Sequence, residues 1–245
     1  MMQEMKGLLL EDRWAPVTEE IGFLEVGAEQ AAQTFATWQR GLVTSRDFTI
    51  ELLPISGTLE QVLSRLLPLS GGENQRYLFI PTRSTWAAYV ENQWTGTDAA
   101  SPMSVMARKL SIRCLRVVAV PHTLRGDRGR YGSVMLDVFG PQQPGKSLNY
   151  VRSIYAANDG GRWTFGHSGE PFPFEQVEQY QARRVRDRFT FEMLKDYLLH
   201  LGLSSFEEDF YMPPGLSAWL IQKTGPSTTA GREYTLEEAR AARVL

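Results

Sequence analysis

Gly166-His167-Ser168-Gly169-Glu170 puts an imidazole, a hydroxyl and a carboxylate close together in the chain. Those are the groups that nucleophilic and acid–base catalysis use. The spacing does not fit a hydrolase nucleophile elbow, which reads Gly-x-Ser-x-Gly; here Glu170 stands at the last position. Adjacent His and Ser do not make a triad either, because its roles are set by geometry. The segment reads as a polar loop beside aromatic strands, and no residue is assigned a catalytic role. If the chain is an enzyme or a small-ligand protein, its site must assemble from distant residues. His167, Glu170, Glu175 and Arg162 are the group to test, and a shared concave pocket is the condition they must meet.

Other chemistries find less support. His122, His167 and His200 are far apart and no ligand spacing links them, so no metal site is expected. Gly71-Gly72 and Gly160-Gly161 match neither a phosphate loop nor a dinucleotide fingerprint, so no cofactor is expected. The one cysteine, Cys114, lies in an apolar strand pattern and reads as a buried small hydrophobe. Arg183, Arg184, Arg186 and Arg188 could contact phosphates. On a helix they would point around much of the circumference, with Glu175, Glu178, Asp187 and Glu192 near enough to neutralise many of them. A salt-bridged surface is the simpler reading, and nucleic-acid binding through Arg183–Arg188 stands as the second alternative. Glu207-Glu208-Asp209 between Phe206 and Phe210, and Glu170 and Glu175 beside Phe172 and Phe174, read as solvated acidic faces or as contact patches for a basic partner. Trp94, followed by a polar loop that ends at Asp98, is the tryptophan expected nearest the surface, where it would suit an interface.

The elements that must carry these residues follow from periodicity. Ala31, Phe35, Trp38 and Leu42 share one face of a helix over about 28–42. A strand follows over 48–55, stopping near Pro54, and Thr58 with Gln61 forms a capping box for a short helix that Pro68 ends. Tyr77-Leu78-Phe79-Ile80 and Trp86-Ala87-Ala88-Tyr89-Val90 make a hairpin. Ser101 and Pro102 open a helix with Met103, Met106, Ala107 and Leu110 inward. Strands over 114–121, 133–139 and 151–157 are joined by loops 124–130 and 140–146. Asn158-Asp159-Gly160-Gly161 then turns the chain into a returning strand over 162–166. Phe174, Val177 and Tyr180 have helical spacing. Thr190 caps a helix with Phe191, Leu194, Leu198 and Leu201 inward, and Gly202 stops it. The segment 206–211 is ambiguous, 216–222 reads as strand or helical turn, 225–231 is a loop, and Thr235 caps a last short helix. This order predicts one α+β domain over 1–245, mainly an antiparallel sheet with flanking N-terminal and C-terminal helices.

Composition agrees. A chain of 245 residues with 42% hydrophobic and 22% charged residues can build a core without disulfides or metals. Lys and Arg total 26 against 28 Asp and Glu, a net charge of −2, which lacks the basic excess of a dedicated nucleic-acid binder. The apolar run Leu8-Leu9-Leu10 is too short for a signal sequence, and no stretch is long and apolar enough to span a membrane. A cytoplasmic protein is the expectation, with oligomeric state left open.

Several runs carry a resemblance. Arg76-Tyr77-Leu78-Phe79-Ile80-Pro81-Thr82 with Trp86, Tyr89 and Gly96-Thr97-Asp98, then Asn158-Asp159-Gly160-Gly161-Arg162-Trp163, Phe174-Glu175, Tyr180 and Asp187-Arg188-Phe189, resemble a class of uncharacterised standalone bacterial proteins over residues 20–211. In size, α+β layout and lack of catalytic residues the chain also resembles immunity proteins of bacterial polymorphic-toxin systems. That resemblance implies a non-enzymatic protein-binding module that neutralises a cognate toxin, and it carries no site residues across. The binding candidates read from the residues themselves are Trp94, Asp98, Arg162, His167, Glu170, Glu175, Glu207, Glu208 and Asp209.

Overall fold

A computed structural model describes residues 5–43, 47–125, 129–142, 145, 147–225 and 231–242. Parts of the expected loops 124–130, 140–146 and 225–231, and the first four residues, lie outside the described residues.

Among the described residues, nine strands form one sheet. In chain order they are β1 (Glu20–Leu24), β2 (Thr49–Ile55), β4 (Gln75–Pro81), β5 (Ala87–Glu91), β6 (Cys114–Val120), β7 (Ser133–Phe139), β8 (Tyr150–Asp159), β9 (Arg162–Ser168) and β10 (Ala218–Thr224). Their spatial order is β2-β10-β4-β5-β1-β6-β7-β8-β9, every neighbouring pair antiparallel. A small ladder joins β3 (Leu69–Ser70) to β11 (Glu233–Tyr234). The helices are α1 (Ala28–Leu42), α2 (Leu59–Leu63), α3 (Ala100–Leu110), α4 (Phe191–His200) and α5 (Leu236–Ala242). The chain is therefore α+β, with 3-10 turns filling much of the rest.

The sheet is covered on both faces, which explains why its central strands read as continuous apolar runs rather than alternating ones. Helices α1 and α3 lie on one face. Phe35 of α1 sits among Trp38, Tyr77, Phe79 and Tyr89, with ring centroids 4.8–5.6 Å away. Met103 and Met106 of α3 join that layer. On the other face Leu78, Ile80, Val90, Leu115, Val117, Leu136 and Ile154 pack against the N-terminal 3-10 turns, α2 and α4. The capping box at Thr58 and Gln61 is present, and Thr190 caps α4.

β2 ends one residue past Pro54, as the sequence predicts; as an edge strand it tolerates the missing donor. Three expectations change. α3 starts two residues earlier, with Ala99 rather than Ser101 as N-cap, because the Glu20 carboxylate accepts from the Ala99 N–H at 2.6 Å and fixes the start from outside the helix. Leu42 is 60% exposed although its angle on α1 is inward, since the last turn is left uncovered. The segment around Arg183–Arg188 is not α-helical: only Val185–Asp187 forms a short 3-10 turn, because buried anchors on either side hold the chain against the sheet. The ambiguous 216–222 segment is β10, inserted between β2 and β4.

Gly22 lets α3 approach β1. A Cβ there would lie 2.8 Å from the Met103 sulfur. Gly22→Val is expected to destabilise the protein by about 1–3 kcal/mol, as overpacked cores do, and adding Met103→Ala should recover part of it. Urea unfolding midpoints of the single and double variants check this.

Candidate functional site

Charged residues inside apolar strands are the first sign of a site, because burial of a charge demands a partner. Arg152 on β8 points to the same face as Ile154 and Ala156, and its side chain is wholly buried. Its guanidinium holds Glu175 through two bonds, Nε to Oε1 at 2.9 Å and Nη2 to Oε2 at 2.6 Å. Nη1 donates to the carbonyls of Ser168 and Gly169 at 3.0 and 2.8 Å. Glu175 also accepts from the Phe172 N–H at 3.0 Å and from the Tyr180 hydroxyl at 2.7 Å, which fills its acceptor capacity. Tyr180 meets the Tyr197 hydroxyl of α4 at 3.2 Å, and that hydroxyl accepts from the Gln176 N–H. Burial alone would raise the Glu175 pKa; the bonds from Arg152, Phe172 and Tyr180 outweigh it and hold the carboxyl below the usual range. Burial and the neighbouring Tyr197 and Glu175 push the Tyr180 hydroxyl up.

His167 touches this network from outside. It is exposed, with Nδ1 3.3 Å from Arg152 Nη1. A guanidinium only donates, so Nδ1 is the accepting nitrogen. Ser168 is its neighbour on the same strand and therefore projects to the opposite face of the sheet. The His–Ser pair thus has no shared reaction space. Arg162 is at the hairpin end of β9, five positions from His167 and so roughly 17 Å along the strand. Glu170 is exposed beyond the strand end. Of the group His167, Glu170, Glu175 and Arg162, the structure brings together only His167 and Glu175, through Arg152.

The other binding candidates are spread out. Trp94 stacks on Tyr234 at 4.8 Å and is half-buried. Asp98 is exposed; its backbone N–H donates to Glu91 and its carboxylate accepts from Ala100 N. Glu207, Glu208 and Asp209 are exposed between buried Phe206 and Phe210, and the Asp209 carbonyl accepts from Arg83. Arg188 donates to the Ala182 carbonyl and lies over the Phe165 ring, while Arg183 and Arg184 are exposed.

A second polar row runs across the opposite face of the sheet. Glu20 takes both bonds of an Arg116 fork at 2.8 Å, Arg116 reaches Asp137 at 3.4 Å, and Ser153 donates to Asp137 at 2.6 Å. Burial pushes the Glu20 carboxyl up despite Arg116. Glu91 on β5 is buried nearby, and among the described residues no cation is bonded to it; it accepts from the Tyr89 hydroxyl at 2.7 Å and from Asp98 N at 3.0 Å. Burial raises its pKa to about 7, with those two bonds opposing. Sequence reasoning missed Arg152, Arg116, Asp137, Glu20 and Glu91. The available signal was a lone charge inside an apolar strand, as in Cys114-Leu115-Arg116-Val117-Val118 or Met135-Leu136-Asp137-Val138.

Among the described residues no group of three or more His, Cys, Asp or Glu is placed to hold a metal ion. No helix among them is long and apolar enough to cross a membrane. Comparison with protein families, with curated proteins and with solved structures gives no match to this chain.

Two predictions follow from the buried charges. Arg152→Met leaves the Glu175 carboxylate buried without its cation and should cost about 3–5 kcal/mol, whereas Arg152→Met with Glu175→Leu should be much milder, both read from urea unfolding. Glu91 has a folded-state pKa above its unfolded value. Its contribution is therefore fully present below about pH 4.5 and is lost as pH rises through about 7. Glu91→Gln removes that loss and should be the more stable protein at pH 8 by roughly 2–3 kcal/mol, with the gap closing toward pH 5 in a stability–pH series.

Proposed function

We propose that the chain is a protein-binding module that takes an extended segment of its partner along β9. The observation that carries this reading is the open outer edge of that strand. Gly160 and Gly161, with φ of 57° and 86°, close a two-residue hairpin on the Asp159–Arg162 pair. Bonded pairs alternate from there, so Arg162, Thr164, Gly166 and Ser168 bond to β8. The N–H and C=O groups of Trp163, Phe165 and His167 face outward from the last strand of the sheet. A partner strand added there would be held by main-chain bonds. Natural edge strands are commonly blunted by proline, lysine or a covering group. The edge at the other end has two such devices, Pro54 in β2 and Arg40 bonded to the Ile50 carbonyl at 3.1 Å. β9 contains neither proline nor lysine.

The dispersal of His167, Glu170 and Arg162 favours binding over turnover at this end of the molecule. The resemblance to immunity proteins makes a toxin the first partner class to try.

The test uses His167→Pro. The lost N–H is an outward one, so the variant keeps its bonds to β8. Its unfolding midpoint should match that of His167→Ala, which loses the same contacts with Arg152 and Tyr180, while partner affinity falls at least about tenfold below that of His167→Ala, the loss expected when a main-chain bond at the centre of an added strand is replaced by a clash. In the complex, hydrogen exchange should slow at the amides of Trp163, Phe165 and His167. A partner that binds His167→Pro with undiminished affinity, or leaves those amides unprotected, would sink the reading.

A further inference from the structure

A cleft of about 640 Å³ opens at the end of the sheet where α1 begins, between the β4–β5 turn, the end of β2 and the start of β10. Its volume is in the roughly 300–1,000 Å³ range of small-ligand sites. We infer that this cleft binds an uncharged saccharide.

One wall is flat and apolar: the cross-strand neighbours Trp219 and Pro54 form it, and among the described residues Trp219 stacks on no other aromatic ring, while Trp86 and Pro81 lie buried beneath the cleft, Trp86 with Arg113 over its ring. Such surfaces match the C–H face of a sugar ring. The polar groups are of both kinds. Thr85 and Ser217 bring hydroxyls, which donate and accept. Gly27, the N-cap of α1, has no side chain to cap the helix, so the first N–H groups beyond it have no partner within the helix. The Glu29 carboxylate provides acceptors. Sugar hydroxyls are the ligand groups that satisfy donors and acceptors together.

Charge decides against an ion. Glu25 is neutralised by Arg113, which holds it through Nε at 2.7 Å and lies over Trp86 at 5.6 Å. Glu29 sits in the first turn of α1, where the helix dipole balances a carboxylate, and Gln33 donates to it at 3.1 Å. An anion would meet Glu29, and a cation would meet the helix N-terminus. An uncharged ligand meets neither penalty. This site is remote in the fold from β9, and the inference does not rest on the partner-binding proposal.

The experiment titrates the full chain with D-glucose, N-acetylglucosamine and cellobiose, reading calorimetry and saturation-transfer NMR. At least one sugar should bind saturably. Trp219→Ala should weaken it about tenfold, the scale of a lost aromatic contact. Gly27→Asp is the decisive second variant. Gly27 has φ −64° and ψ 148°, and a Cβ there meets nothing within 4 Å, so the new carboxylate can cap α1 without strain. It should leave thermal stability equal or higher while weakening the sugar about tenfold or more, since it takes the N–H groups the sugar uses. Absence of saturable binding by all three sugars would overturn the inference. So would binding unchanged by both variants, or saturable binding of inorganic phosphate or adenosine in place of the sugars.

Discussion

The contact between Arg152 and Glu175 sets the layout of one end of the molecule. Residues 169–190 connect β9 to α4 with only short 3-10 turns of their own. A connection of that length without regular structure is unusual in a compact fold and must be held by something else. Here the strand supplies the cation and the connection supplies the anion. The same guanidinium takes the Ser168 and Gly169 carbonyls, so it fixes where the connection leaves the sheet as well as where it returns. Gly169 has φ +81°, and a Cβ there would lie 2.1 Å from the Val151 carbonyl oxygen. Only glycine permits that close passage. Val151 is the extra residue of a bulge opposite Val138 and Phe139, which swings Tyr150 to the other face beside the Phe139 ring at 4.6 Å. Bulge, glycine and ion pair are parts of one arrangement.

A buried ion pair is weak evidence for stability, since desolvation offsets much of the attraction. Its value here is specificity. Glu175 accepts four bonds, two from Arg152 of the sheet and one each from Phe172 and Tyr180 of the connection, and no shifted placement of the chain would fill those positions. The Glu20–Arg116–Asp137–Ser153 row acts in the same way on the other face, because each member is a direct or near cross-strand neighbour of the next. Slipping any of those strands by one residue would turn its charge into the opposite, apolar layer.

Local signals were legible in the sequence, and long-range ones were not. The α1 stripe, the Thr58–Gln61 box, the β4–β5 hairpin, the Gly160-Gly161 turn and the Thr190 cap all depend on residues within a few positions of each other, and each is present. β10 was ambiguous because its partners, β2 and β4, are more than 130 residues earlier in the chain. The same limit applies to the site. His167, Ser168 and Glu170 looked like chemistry because they are close in sequence; strand alternation separates His167 from Ser168, and Glu170 lies beyond the strand end. Arg152 gave no local signal because its partner is 23 positions away. The Ser101 cap failed for a related reason: a carboxylate from β1 reached the helix start first.

The two ends of the sheet solve one problem differently. A nine-stranded open sheet has two edges, and each leaves main-chain donors and acceptors unpaired. At β2 the residues are arranged against pairing: Pro54 removes a donor, Arg40 covers a carbonyl, and α1 lies across the strand. At β9 half-buried Phe165 and exposed His167 meet the Tyr180 ring on the side facing Arg152, and among the described residues no further strand pairs with the outer edge. Arg152 is what seats the strand, since the carbonyl it binds at Ser168 belongs to β9 itself. An edge already held in extended form suits recognition, because less ordering cost falls on this side of the contact. The buried pair that shapes this end of the fold therefore also preorganises the edge on which the binding proposal rests.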